Sequence, residues 1–238
     1  MEALDILTVG VREWPTYFKV PRLWRASALL GAYYLFRFHS YDIWSQIHKL
    51  SRPSEDFRFG ETPYNVGLEL LKMAQVTERD VLYDLGAGRG KMVLLAALAT
   101  KCRAVGLEYL PSYAIVAQRV IRALGLEPWA DLHQADILQA DLGEATVLFS
   151  AASSWAASTK EQLLRRVPTL APGTRWISVG WELRHPLLEL RAARRLLFSW
   201  GYDNAWYYVV KAETGEAEDA AADNGAETLH PEDAVAAI

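Results

Sequence analysis

The chain has 238 residues, 51% of them hydrophobic and 23% charged, a composition typical of a globular protein with one sizeable core. Its 25 Lys and Arg residues against 29 Asp and Glu residues give a formal net charge of −4, so it lacks the positive excess typical of many nucleic-acid-binding proteins. A single cysteine, Cys102, excludes an intramolecular disulfide and a cysteine-based zinc cluster.

The composition divides the chain into three zones. Residues 1–58 are rich in aromatic residues and arginine and predict an N-terminal helical cap. Residues 59–211 alternate apolar runs with helical patterns and predict an α/β domain with a doubly wound, mostly parallel seven-stranded sheet. Residues 212–238 are acidic and poor in bulky apolar side chains, so we expect a disordered tail.

The three zones also divide the charge. Residues 211–238 hold one lysine and eight acidic residues, so residues 1–210 carry 24 basic and 21 acidic residues, a net charge of +3. An acidic partner or a membrane surface therefore remains open for the body of the protein.

The first zone lacks a basic, apolar secretory signal, and we expect a cytoplasmic protein. The longest apolar run, residues 26–36, is too short to span a bilayer, which needs about 20 residues. Two interpretations of this run remain. A helix packed on the domain is favoured, whereas the flanking arginines and aromatic residues would also suit a peripheral membrane contact through residues 23–38.

The first half of the α/β zone begins with a helix, which the spacing of Val66, Leu70 and Met73 predicts. The elements that follow are a strand at 81–83, a helix at 92–98, a strand at 104–107, a helix at 113–124 and a strand at 131–135.

The second half continues with a strand at 146–149 and a capping box at residues 158–161 that opens a helix. A fifth parallel strand is predicted at 176–179. Residues 196–198 and 206–209 then flank a turn at 201–204 and predict an antiparallel hairpin.

The first of these strands runs into a glycine-rich loop, Asp84-Leu85-Gly86-Ala87-Gly88-Arg89-Gly90. A dinucleotide-binding loop would need glycine at 91, where the chain has Lys91, and a phosphate-binding Walker loop would need glycine at 85 and Ser or Thr at 92. An acidic residue at the end of the strand suits a cationic amino-acid ligand better than a phosphate.

This segment resembles the acidic-x-Gly-x-Gly-x-Gly loop of class I S-adenosylmethionine-dependent methyltransferases. The resemblance implies a Rossmann-like fold and S-adenosylmethionine as cofactor, bound by Asp84 and by the loop glycines Gly86, Gly88 and Gly90. It further implies that Glu108, at the end of the second strand, accepts the ribose hydroxyls, and that Asp136 and Ile137 contact the adenine.

A narrower resemblance begins at Phe59-Gly60-Glu61-Thr62, which is similar to the Tyr-Gly-Glu-Thr segment of the disruptor-of-telomeric-silencing family of non-SET lysine methyltransferases. The similarity continues through 81–94 and resumes at 146–149, 162–163 and 172–178. It implies that Phe59, Glu61 and Thr62 belong to the cofactor site, with Glu61 and Thr62 closing over the methionine part. The alternative is that Glu61 and Thr62 are solvated residues at a helix start.

The chain departs from this family near the methyl acceptor. Lys91 replaces a glutamine, and Ala151-Ala152 replaces a pair of asparagines. The candidate acceptor channel consists of Tyr64, Tyr109, Ser150 and Trp155. No general base or metal site is predicted, and His133 and His185 are interpreted as structural.

The resemblance implies an enzyme that methylates a protein lysine. Two alternatives remain: a small-molecule methyltransferase whose N-terminal zone forms a lid, or a cofactor-binding protein without transfer activity.

Overall fold

The computed structural model describes residues 3–37, 46, 53–57 and 60–212. Two N-terminal helices, α1 (Ala3–Lys19) and α2 (Leu23–Arg37), are joined by a turn at residues 20–22. They are 17 and 15 residues long. The length of α2 is supported by packing, since Leu23, Ala26 and Leu30 are buried in the core.

Seven strands form one sheet in the order β3-β2-β1-β4-β5-β7-β6, which confirms the predicted fold class. They are β1 (Val81–Leu85), β2 (Arg103–Glu108), β3 (Ala130–Gln134), β4 (Val147–Ala151), β5 (Arg175–Val179), β6 (Leu188–Phe198) and β7 (Gly201–Val210). The first five are parallel, and β7 pairs antiparallel with both β5 and β6. The strand order reverses between β1 and β4, so a ligand crevice is expected at the carboxyl ends of these strands.

Among the residues that the structure describes, the helices that accompany the sheet are α3 (Tyr64–Met73), α4 (Lys91–Thr100), α5 (Pro111–Ala123) and α6 (Ala157–Leu164). Short 3₁₀ helices lie at Ser54–Phe57 and Val167–Thr169. Residues 92–98 of α4 are all buried because this helix packs on β1, β2 and β3 and is covered by α2 and α3. The helices predicted around Val66, at 92–98 and at 113–124 are therefore confirmed.

The sheet separates two hydrophobic clusters. Alternate residues of one strand belong to opposite clusters, as Leu82 and Tyr83 show in β1. The cluster that contains Leu82 also contains Leu23, Ala26 and Leu30 of α2, so α2 shares a core with the sheet. The division at residues 58 and 59 stays a prediction, and the predicted tail lies outside the described residues except for residue 212.

The predicted capping box at 158–161 is wrong. Helix α6 begins at Ala157, and its cap residue makes no side-chain capping bond. The carboxylate of Asp56 takes this place, because it accepts hydrogen bonds from the Ala156 amide at 2.8 Å and from the Thr159 hydroxyl at 2.7 Å. A negative charge at this end of a helix is favoured by the helix dipole.

The hairpin is confirmed, but its turn lies at residues 199–200 and not at 201–204. Residues 201–204 belong to β7 and pair with residues 195–198 of β6. Gly201 follows the turn with φ +117°, a backbone conformation that other residues rarely adopt. The polar residues that suggested a turn therefore extend the strand.

Within the described part of the chain, no helix is both long enough and apolar enough to cross a bilayer.

Candidate active site

A cavity opens at the carboxyl ends of β1, β2 and β4. Its floor includes Asp84 from β1, Glu108 from β2, and Phe149 and Ala151 from β4. This is the edge where the strand order reverses, so the topology alone brings these side chains together.

The glycine-rich loop between β1 and α4 forms one wall. Gly86, Gly88 and Gly90 have φ values of +77°, +52° and +76°, in the left-handed region that favours glycine. The amides of Gly86 and Ala87 both donate to the carbonyl of Leu107, at 2.9 and 3.0 Å, and tie the loop to β2. These two hydrogen bonds fix the start of the loop at the edge of the cavity.

Two carboxylates lie at the base of the cavity. Asp84 and Glu108 are only 3% and 6% exposed. Burial raises the pKa of Asp84 to about 8, and the charge of Glu108 adds to the shift. Burial also raises the pKa of Glu108, whose carboxylate accepts hydrogen bonds from the amides of Gly88 at 2.7 Å and Leu110 at 2.8 Å. Two buried carboxylates at this position suit a ligand that carries a cationic group and hydroxyl donors.

The opposite wall of the cavity is formed by residues 56–57 and 60–62 together with Trp155. The tip of the β6–β7 hairpin holds this segment, because the amide of Glu61 donates to the Ser199 hydroxyl at 2.9 Å. Trp200 packs so closely on Gly60 that a Cβ there would lie 2.6 Å from its ring. The hairpin thus positions a wall that is about 140 residues away in sequence.

Asp56 fastens the other end of this wall to α6, and its loss is a direct test of that contact. We expect Asp56→Ala to lower the free energy of unfolding by about 2 kcal/mol, since two hydrogen bonds to a charged acceptor are lost. We also expect severalfold weaker binding of the cavity's ligand. Urea unfolding and titration calorimetry measure the two effects. Glu55→Ala, an exposed acid of the same 3₁₀ helix, is the matched control, and equal behaviour of both variants would contradict the role of Asp56.

Lys91 connects the cavity to helix α1. Its ammonium lies 2.8 Å from Glu13 Oε1, 4.0 Å from Glu61 Oε2 and 4.3 Å from the centre of the Tyr64 ring. The same Glu13 oxygen accepts a hydrogen bond from the Tyr64 amide. One carboxylate of α1 therefore holds the start of α3 and the start of α4 together.

This contact predicts a stability effect for a substitution far from the cavity in sequence. We expect Glu13→Gln to lower the free energy of unfolding by about 2 kcal/mol, because Lys91 loses a partly buried counter-charge. The control is Glu69→Gln, whose exposed carboxylate lies 3.7 Å from Arg194. Chemical denaturation measures the free energy of unfolding of both variants. If Glu13→Gln lowers it no more than Glu69→Gln does, the stabilising role of the contact between Glu13 and Lys91 is refuted.

Aromatic side chains line the mouth of the cavity. Phe57 and Tyr109 have ring centres 5.8 Å apart, and Tyr113 lies on the same wall. Trp155 is 9% exposed and covers Gly86, where a Cβ would lie 3.0 Å from its ring. Burial raises the pKa of Tyr113 to about 12, so its hydroxyl stays protonated at neutral pH.

Most of the residues predicted from sequence meet at this cavity. Those on its wall are Glu61, Thr62, Asp84, Gly86, Gly88, Glu108, Tyr109, Ile137 and Trp155. Gly90 is the N-cap of α4, one residue before Lys91 on the wall. Asp136 directly precedes Ile137, and its carboxylate accepts a hydrogen bond from the Leu138 amide at 2.9 Å. Phe59 lies outside the described residues.

Tyr64 and Ser150 are not among the residues that line the cavity, which corrects their place in the predicted acceptor channel. Tyr64 is 1% exposed and packs against Tyr17, beneath the N-terminal helices. Ser150 is fully buried, and its hydroxyl accepts a hydrogen bond from the Trp176 indole at 3.0 Å. It lies between Phe149 and Ala151 in β4, so its side chain projects from the opposite face of the sheet.

Sequence reasoning missed several residues of the site, namely Asp56, Phe57, Tyr113, Phe149, Ser199 and Trp200. The alternation of β4 could have identified Phe149. No local pattern marks Ser199 or Trp200, because their contact with residues 60–61 forms only in the folded chain.

Comparison with known proteins decides the family. The sequence model of the family described as "Histone methylation protein DOT1" matches residues 46–187, more than half of the chain. The chain belongs to this family. The resemblance seen in the Gly-Glu-Thr segment and the glycine loop is thereby confirmed.

Two relatives of the DOT1-family chain are informative. A protein-lysine N-methyltransferase of Saccharolobus islandicus (strain REY15A) is 30% identical over 125 residues, which are 52% of this chain and 76% of that protein. An RNA methyltransferase from Salinibacter ruber, solved with S-adenosyl-L-homocysteine, is 29% identical with a TM-score of 0.57, over 66% of this chain and 97% of that chain.

A more distant structure shares the fold alone. Geranyl diphosphate C-methyltransferase from Streptomyces coelicolor A3(2) is 13% identical with a TM-score of 0.52, over 63% of this chain and 78% of that chain. The family, the relatives and the sheet together identify the DOT1-family chain as a class I S-adenosylmethionine-dependent methyltransferase. The predicted cofactor is confirmed at this level.

Proposed function

We propose that this DOT1-family protein transfers the methyl group of S-adenosylmethionine to a lysine side chain of another protein. The observation that supports a protein acceptor is the 30% identity to the lysine methyltransferase of Saccharolobus islandicus, in a chain whose family match covers the whole cavity wall from residue 56 to residue 155. The methyl group reacts at the cavity described above.

The residues present fit the cofactor. A bound amino-acid group needs an acceptor for its ammonium, and Asp84 is the buried carboxylate at the end of β1. We propose that Glu108, whose carboxylate accepts hydrogen bonds from two backbone amides, also accepts the ribose hydroxyls. Gly86 and Gly88 have no side chains and allow the ligand to approach the backbone closely. Ile137, 7% exposed on the cavity wall, offers an apolar face to the adenine, and Asp136 stands beside it.

Glu61 and Thr62 close the cavity opposite the glycine loop. Glu61 lies within 3.6 Å of Arg89 and 4.0 Å of Lys91, so its carboxylate is held between two cations of the loop side. We propose that this pairing keeps residues 60–62 over the methionine part of the cofactor. The interpretation of Glu61 and Thr62 as merely solvated residues is disfavoured, since both line the cavity.

The acceptor lysine enters along the aromatic wall of Phe57, Tyr109 and Trp155. When bound, S-adenosylmethionine supplies a methyl group on a sulfonium, and the lysine nitrogen displaces the sulfur in line. Only a neutral amine has the free electron pair for this step. An aromatic, partly desolvated wall disfavours the ammonium form and so lowers the pKa of the incoming lysine.

The place of the family's two asparagines is apolar in this chain. Ala151 lines the cavity, and Ala152 is fully buried. The wall next to β4 therefore offers no side-chain amide to an acceptor at these two positions. The acceptor is held by shape and by the aromatic rings of Phe57, Tyr109 and Trp155.

The test is transfer of tritiated methyl groups from S-adenosylmethionine to fractions of a cell lysate, followed by mass spectrometry of the labelled product. We expect label in protein, on the side-chain nitrogen of lysine, and strongly reduced transfer by Asp84→Asn at subsaturating cofactor. Label confined to RNA, as the Salinibacter ruber relative would suggest, or to small molecules would overturn the lysine proposal. Cofactor binding without any transfer would favour a binding protein.

A further inference from the structure

The outer surface of the two N-terminal helices has an unusual composition. Between residues 11 and 33, every exposed side chain is apolar, small or basic. The apolar and small residues are Val11, Trp14, Pro15, Phe18, Pro21, Trp24, Ala28, Gly31 and Ala32, and the basic ones are Arg12, Lys19, Arg22 and Arg25. The one acid of this stretch, Glu13, turns inward to Lys91.

The large side chains of this surface form one continuous patch. Val11, Trp14 and Phe18 follow each other along one face of α1, and they are 72%, 54% and 69% exposed. Trp24 of α2, 44% exposed, lies with its ring 5.0 Å from that of Trp14 and so joins the two helices. We call this set, Val11, Trp14, Phe18 and Trp24, the aromatic patch.

The aromatic patch is carried on a firm base. On the inner side of the same helices, Leu23, Ala26 and Leu30 are buried in the core, and Tyr17 contacts Tyr64. The inner faces of α1 and α2 therefore fix these helices to the α/β domain, while Trp14 and Phe18 on the outer face stay exposed. Contiguous exposed aromatic residues of this kind mark an interaction surface.

We propose that this surface docks the protein onto an anionic membrane, with the aromatic patch entering the interface and Arg12, Lys19 and Arg25 facing the lipid headgroups. Trp and Phe beside Lys and Arg on one helical face are the side chains that suit a helix lying in a bilayer interface. The site extends the membrane contact expected for residues 23–38 onto α1. It does not depend on which acceptor the enzyme methylates.

Charge decides between a membrane and a second copy of the chain. A symmetric dimer through this surface would bring the same patch of both copies together, and thus basic side chains against basic side chains. An anionic bilayer instead attracts them, at about a fivefold gain in partitioning for each basic residue near its surface. The exposed aromatic rings gain by leaving water in the same step.

The test is co-sedimentation of the full-length protein with vesicles of phosphatidylcholine and phosphatidylserine, and with vesicles of phosphatidylcholine alone. We expect strong binding to the first and weak binding to the second, with added salt reducing the difference. The double variant Trp14→Ala/Phe18→Ala should lose about tenfold or more in partitioning. The triple variant Arg12→Gln/Lys19→Gln/Arg25→Gln should lose the preference for phosphatidylserine. Arg22 is left in place because it bonds the Leu124 carbonyl.

Leu190→Ala is the matched control, since Leu190 is a 50% exposed apolar residue outside this surface, and it should bind as the wild type does. Thermal melting and transfer activity confirm that each variant is folded. Failure of the folded wild type to bind either vesicle would overturn the proposal. Unchanged vesicle binding by Trp14→Ala/Phe18→Ala would also overturn the proposal, because the basic side chains alone would then account for binding and an acidic partner would be the better explanation. Light scattering that shows a dimer dispersed by Trp14→Ala/Phe18→Ala would assign the surface to self-association instead.

Discussion

We expect the Asp84→Asn variant to bind S-adenosylmethionine about 100-fold more weakly than the wild type, because a buried cation would lose its charged partner. The substitution keeps the size of the side chain, so the cavity is preserved. Asp84 is 3% exposed at the end of β1, and water cannot replace the carboxylate there. Titration calorimetry of the purified proteins measures the change.

The matched control for this effect is Asp131→Asn. Asp131 is an acid on β3, which β2 separates from β1, and its side chain is 56% exposed. Its substitution should leave the affinity within about twofold of the wild type. Equal affinities for wild type and Asp84→Asn would remove Asp84 from the cofactor site. The family assignment would stand, since it rests on the whole of residues 46–187.

The second large effect is a pH dependence of stability that runs opposite to the pH dependence of binding. Burial, with the charge of Glu108, raises the pKa of Asp84 from 3.8 to about 8. In the free protein, the folded state therefore keeps a proton that the unfolded chain releases near pH 4. The unfolded state binds fewer protons between these pH values, so the free energy of unfolding falls as the pH rises from about 4 to about 8. The shift of the Glu108 pKa has the same direction.

Urea unfolding of the cofactor-free protein across this range should show a decrease on the order of a few kcal/mol. Asp84→Asn has no proton to lose at this position, so its decrease should be smaller and its stability above neutral pH higher than that of the wild type. A wild-type slope no steeper than that of Asp84→Asn would contradict the buried, protonated Asp84.

Binding should respond to pH in the other direction. The ammonium of S-adenosylmethionine pairs with the ionised form of Asp84, so affinity should increase with pH, by up to about tenfold per pH unit, and level off near pH 8. Calorimetry at several pH values measures this trend, and Asp84→Asn should not show it. If the affinity instead fell together with the stability as the pH rises, Asp84 and Glu108 would not be the residues that bind the cofactor.

The local pattern of the chain predicted the parts of the site that follow strand ends. Asp84 and Glu108 end buried strands, and parallel strands bring their carboxyl ends to one edge whatever the surrounding loops do. Gly86, Gly88 and Gly90 were predictable from the glycine-rich motif after the strand, and all three have the positive φ values that favour glycine. The residues that we propose bind the cofactor could therefore be named from the sequence.

For Tyr64 and Ser150, the predicted place in the acceptor channel was wrong because it depended on the direction in which each side chain points. Ser150 stands in a strand whose side chains alternate, and its neighbours Phe149 and Ala151 take the cavity side. Tyr64 stands at a helix start, where the rotation of the helix sets the direction of the ring. That rotation follows from Glu13 and Tyr17 of α1, 51 and 47 positions away in sequence.

The sequence by itself determined the sheet, the glycine loop and the family, because these depend on short patterns of apolar residues, glycines and strand-ending acids. Only the tertiary structure decided what closes the cavity. Asp56 caps a helix 100 residues later, Ser199 and Trp200 hold residues 60–61, and Glu13 reaches Lys91. Each of these contacts joins distant segments through a single side chain, and one side chain leaves no periodic signal in the sequence. The same packing turned Trp14 and Phe18 outward, onto the surface that we propose meets the membrane.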